Sequence, residues 1–185
     1  MATVDDFLRN NADMISAAGR CLELKQLMPA LVLIYAHIDT LAWAAAWQTD
    51  ASVRERYESW VKRWLLPRLS LHAPELTPTD LYAARCGILH SLTSRSDLSE
   101  TGEARELAYA WEATAISTMR RDINDSSWRG RLVGVYCGDM LDSLKQAVAD
   151  FVEAAQGNVH TAAALAEAAS RHYPNISKPE SSASP

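Results

Sequence analysis

Cysteine is scarce. Cys21, Cys86 and Cys137 are the only three, an odd number with no CxxC pair, which excludes a disulfide scaffold or a zinc ribbon as the organiser of the fold. Such usage suits reduced thiols and a cytoplasmic location. Glycine is also sparse, at seven residues, and none falls in a phosphate-cradling loop. Gly130, Gly134 and Gly138 fall in a predicted helix, where they read as sites of close helix packing. No nucleophile elbow surrounds Ser91 or Ser94, so neither forms a serine triad with His90. Basic charge is short as well: 18 Lys and Arg stand against 23 Asp and Glu, a net charge of -5. That balance excludes a polyanion binder held by bulk charge, so any nucleic-acid contact needs a local basic patch. Asp5, Asp6 and Arg9 interrupt any apolar leader near Met1. The longest apolar run, Pro29 to Trp47, approaches bilayer-spanning length, but His37 and Asp39 at its middle favour a buried bundle helix and no membrane contact.

What is present is a globular composition, 48% hydrophobic over 185 residues, which predicts one domain over residues 1–173 and a disordered tail over 174–185. Thr3 with Asp6 reads as an N-cap and an acid at N3, opening a first helix from about Val4 to Leu27. Pro29 suits the first turn of a second helix, with Leu31, Ile34, Ile38, Leu41 and Ala45 as its core stripe. A third runs from Ala51 to Leu66. Thr77, Pro78 and Asp80 supply hydroxyl cap, N1 proline and N3 acid to a fourth, from Pro78 to about Ser91. Leu107, Tyr109 and Trp111 alternate as a short strand would, though a helix fits them too, and a β-hairpin insertion around 103–125 is one expectation. Ser127 is read as the cap of a long helix from Trp128 to Gln156, stopped by Gly157, with a last helix over Thr161 to His172. The sum is an all-α helical bundle.

The fourth helix carries the chemistry. Arg85 and His90 stand on a segment otherwise suited to burial, where a guanidinium asks for a partner. One account is an Arg–carboxylate pair holding two helices together. The other is a phosphodiester site: a fixed cationic fork for phosphate oxygens beside a group that moves protons near neutral pH. A five-residue offset leaves the two side chains about 140° apart around a straight helix and about 7.5 Å apart along it. A cleft between two copies of the chain would bring such residues together. Asp39 is the candidate supporting acid, with Arg85 or His90 as its donor, and Tyr35 on a neighbouring face as a further hydrogen-bonding group. Arg54, Arg56, Lys62, Arg63 and Arg68 interleave with Tyr57, Trp60 and Trp64. Of these Arg56, Arg63 and Trp60 are the candidates for gripping single-stranded RNA, against the alternative of a solvated cationic face. Cys86 and His90 are four apart, a spacing open to metal ligation, but no second pair accompanies them, so neither metal nor cofactor is expected.

Arg85-x4-His90 on a capped helix beside a long apolar one resembles the HEPN superfamily, whose hallmark is an arginine and a histidine separated by four to six residues. The likeness extends more weakly over Leu31–Asp39 and Leu81–Leu98. The resemblance implies a metal-independent endoribonuclease acting as a homodimer, often a toxin or defence component with an antitoxin-like protein partner. It implies Arg85 stabilising charge on the scissile phosphate and His90 as base or acid for attack by the ribose 2'-hydroxyl. Cys86 stands where many members carry a polar residue. Leu92 stands where a subgroup carries a modified tyrosine, so control by that modification is not implied. The alternative is a non-catalytic HEPN-like interaction bundle in which Arg85 and His90 are structural.

Overall fold

The computed structural model describes residues 4–46 and 49–171; the tail expected over 174–185 lies outside the described residues. The protein is a mainly helical bundle. Its first helix, α1 (Val4–Glu23), stops short of the expected Leu27, because Lys25 takes a left-handed backbone conformation and turns the chain. Next comes α2 (Leu27–Ala45), the central element, which packs against α1, α3 (Val53–Trp60), α5 (Pro78–Ser91) and α9 (Val159–Ser170). Two adjacent stripes of α2 are buried: Ala30, Ile34, His37, Leu41 and Ala44, and beside them Leu31, Tyr35, Ile38 and Ala42. Burying each large side chain contributes roughly 1.5–3 kcal/mol, so α2 anchors the core. By length and composition α2 could also cross a membrane, but half of its most apolar window is buried inside the protein.

The third predicted helix is longer and less regular than expected. Ser52 and Glu55 cap α3 reciprocally. A π-helical segment then spans Val61–Leu65, with the Leu66 amide donating to the Val61 carbonyl, before α4 (Leu66–Leu69). Pro67 has no amide to donate to the preceding turn, and the ladder is loosened just ahead of it.

α5 matches its local signals from end to end. Thr77 Oγ1 accepts the Asp80 amide at 3.1 Å, and Asp80 accepts the Thr77 amide at 3.0 Å. Asp80 also accepts the Arg105 amide at 2.8 Å and the Arg105 guanidinium at 2.6 Å, so the cap ties α5 to the strand that follows. Burial pushes this carboxyl up, but the bonds from Arg105 and Thr77 outweigh it and hold it below the ordinary range.

A one-turn helix, α6 (Asp97–Glu100), leads to the largest departure from expectation. The insertion is not a hairpin: β1 (Glu106–Ala110) and β2 (Leu132–Tyr136) pair in parallel, Glu106 opposite Leu132 and Ala110 opposite Tyr136, joined by α7 (Ala113–Asn124). Parallel strands require a crossover, which α7 supplies. The long helix therefore starts at Cys137 rather than Trp128, as α8 (Cys137–Gln156), and Gly157 ends it. Gly130, Gly134 and Gly138 consequently share no helix: they lie in a left-handed turn, in β2 and at the start of α8. Val133 and Val135 fill the space beneath the strand pair, a β-branched run suited to a strand.

Candidate functional site

Asp39 leaves α2 one position beyond its buried stripes and meets Arg85 on α5, whose Nη2 donates to Asp39 Oδ2 at 2.5 Å. The Arg85 side chain is 12% exposed and the Asp39 side chain 29%, so the pair sits at the edge of the core. Burial pulls the guanidinium down, and the hydrogen bond and charge of Asp39 more than offset it, leaving Arg85 raised. The ring of Tyr82, one turn earlier, lies 6.0 Å from the guanidinium. This residue was not singled out in the sequence, although its spacing of three from Arg85 places it on an adjoining face.

The second contact overturns the expected separation within one helix. Arg85 Nη1 lies 3.2 Å from His90 Nε2 in the same protomer. The angular estimate treats side chains as radial spokes, whereas a long arginine bends around the helix. Cys86, about 100° from Arg85 and so between the two, is small enough to be crossed. A guanidinium has no acceptor, so in this contact His90 Nε2 is the acceptor and carries no proton.

Beyond His90, Leu92 closes α5 in a left-handed conformation, and residues 93–95 fold back over Gly87. A Cβ on Gly87 would stand 2.6 Å from the Arg95 carbonyl oxygen and 2.7 Å from that of Thr93. Only glycine permits this approach, which shapes the wall beside His90.

The Arg85–His90 contact joins two open cavities. One, of about 550 Å³, is lined by Asp39, Trp43, Arg56, Arg85 and Leu89 among others. The other, of about 360 Å³, holds His90, Tyr82, Cys86, Arg54 and Arg95. Arg54 is neutralised by Glu58 and Glu103, and Arg95 pairs with Glu106. Both residues of the motif are thus reachable, His90 being exposed.

Three proposed site residues are placed differently from expectation. Tyr35 does not reach Asp39; it is fully buried and its hydroxyl lies 2.5 Å from that of Tyr109, tying α2 to β1. Trp60, 2% exposed, packs edge-on against Phe151 in the core and presents no ring to a base. Arg63 is exposed but lies over the Trp64 ring, lining a separate small cavity with Phe151. The pattern of alternating basic and aromatic residues did not reveal that the aromatics face inward. Arg56 alone of the three RNA-binding candidates shares a cavity with Arg85. Among the described residues no cluster of three His, Cys, Asp or Glu could hold a metal ion. Comparison with family models, with curated proteins and with solved structures finds no match to this chain.

Proposed function

We propose that this chain is a HEPN-type, metal-independent endoribonuclease that acts as a homodimer in the cytoplasm. The observation that carries the reading is the contact between Arg85 and His90 at the junction of two open cavities, with Arg85 held by Asp39. In the reaction, the Arg85 guanidinium turns from His90 to the phosphate and frees Nε2. The ribose 2'-oxygen attacks phosphorus, its proton passes to His90 Nε2, and the bond to the 5'-oxygen breaks. The leaving oxygen takes a proton, from His90 of the second copy or from water, giving a 2',3'-cyclic phosphate and a 5'-hydroxyl. Proton transfer of this kind contributes about 10²- to 10⁴-fold. Arg85 stabilises the charge that builds on the phosphate oxygens, a role in which one positioned donor is worth about 10²- to 10³-fold. Arg56, in the cavity with Arg85, is the phosphate contact for the flanking strand.

One observation favours a second reading, a non-catalytic interaction bundle that binds an antitoxin-like protein: Arg85 is largely buried and bonded across two helices, as a structural ion pair is. The two readings separate cleanly. Purified protein with chelator present should cleave RNA to 2',3'-cyclic phosphate ends, and exposed His90 changed to Ala should abolish cleavage while leaving the melting temperature unchanged. Light scattering should give twice the 20.4 kDa of one chain. Cleavage that His90→Ala leaves intact would falsify the catalytic role, and an inactive monomer would favour the binding bundle.

A further inference from the structure

At the other end of α5 a second basic cavity, of about 530 Å³, opens between the loop at Pro74–Glu75, the C-terminal half of α7 and the start of β2. That volume lies in the range of small-molecule sites. Arg105, Arg120 and Arg129 line it, and Glu75 is the one acid among the lining residues.

The three guanidiniums differ in how they are held. Arg105 is fixed by the buried Asp80 and by the Glu75 carbonyl, so its charge is largely compensated. Arg120 is half-buried, and its Nε and Nη2 donate to the Gly134 carbonyl at 3.2 and 3.1 Å. Gly134 makes this possible, since a Cβ there would stand 3.1 Å from Arg120 Cγ. A neutral carbonyl orients the guanidinium without cancelling its charge, and three of its five donors remain for a ligand. Arg129 is exposed and has no ion-pair partner among the described residues. With Asp80 offsetting Arg105, Glu75 faces two arginines, a local positive excess in a chain whose net charge is -5. Ile123 and Leu132 add an apolar wall.

We propose that this cavity binds a phosphorylated ligand of nucleotide size, with Arg120 and Arg129 on the phosphate and Ile123 and Leu132 against the base or sugar. The phosphate is that of a free nucleotide or of an RNA strand. The site is separate from Arg85 and His90, because ten residues of α5 between Asp80 and His90 span about 15 Å. It does not depend on the ribonuclease reading.

Titration calorimetry of the full chain at low salt tests it with three probes: AMP, inorganic pyrophosphate and a 2'-O-methyl hexauridylate that cannot be cleaved. At least one should bind saturably. Arg129→Glu, a change at an exposed residue, should weaken that binding about tenfold or more, the value of one charge-assisted hydrogen bond. Arg120→Gln should do the same. Binding of AMP without the oligonucleotide assigns a free nucleotide, and the reverse assigns an RNA strand. No saturable binding of any probe up to about 10 mM, or binding that Arg129→Glu does not weaken, overturns the site.

Discussion

His37 offers the most quantitative test of the packing. It lies in the central helix α2, 1% exposed, and among the described residues neither ring nitrogen has a hydrogen-bond partner. Burial lowers its pKa from 6.5 to about 4, because the folded interior excludes the charged form. The unfolded chain therefore takes up a proton first as the pH falls. The contribution is fully present above pH 6.5 and is lost as the pH drops from 6.5 towards 4, where the folded imidazole itself titrates. Each tenfold difference in proton affinity is worth about 1.36 kcal/mol, so the whole effect is about 3 kcal/mol. About 2.5 kcal/mol of it is already gone at pH 4.5. Carboxylates also titrate in this range, so the comparison must be with His37→Leu, similar in volume and without the ionisable ring. Urea unfolding at pH 7.5 and 4.5 should show the wild type losing about 2.5 kcal/mol more than the variant. At pH 7.5 the variant should be equal or more stable, since two unpartnered nitrogens leave the core. Parallel losses in the two proteins would refute the account of a neutral, buried imidazole.

Two further changes probe the site's framework. Asp39→Asn removes the counter-charge of a largely buried guanidinium and should destabilise the protein by about 1–3 kcal/mol, less than a fully buried pair would lose. At about 2–4 °C per kcal/mol for a domain of this size, thermal unfolding resolves it, and an unchanged melting temperature would mean that the pair contributes nothing. Gly87→Ala drives a methyl group to 2.6 Å from main-chain oxygen and should cost about 1–3 kcal/mol by displacing residues 93–95. Faster amide exchange confined to that loop would locate the effect; a loop that exchanges as before would contradict the close approach.

Sequence alone determined the elements whose signals are local. Thr77, Pro78 and Asp80 start α5, and hydrophobic spacing marks α2 as a core helix, because caps and stripes act within a few residues of the backbone they organise. The need for a partner was likewise legible in Arg85 and Asp39, since a charge on an apolar helix must be compensated. Tertiary structure decided the rest. β2 reads as helix until β1, more than twenty residues earlier, offers it a hydrogen-bonding edge. Tyr35 was drawn to Tyr109, 74 residues away, rather than to Asp39 on its own helix. Trp60 turned inward because a loosened π-helical turn and the Phe151 ring give its large apolar surface somewhere to go. Arg85 reached His90 because the side chain between them is small and the guanidinium stem is long, a matter of volumes and reach that spacing along the chain does not contain.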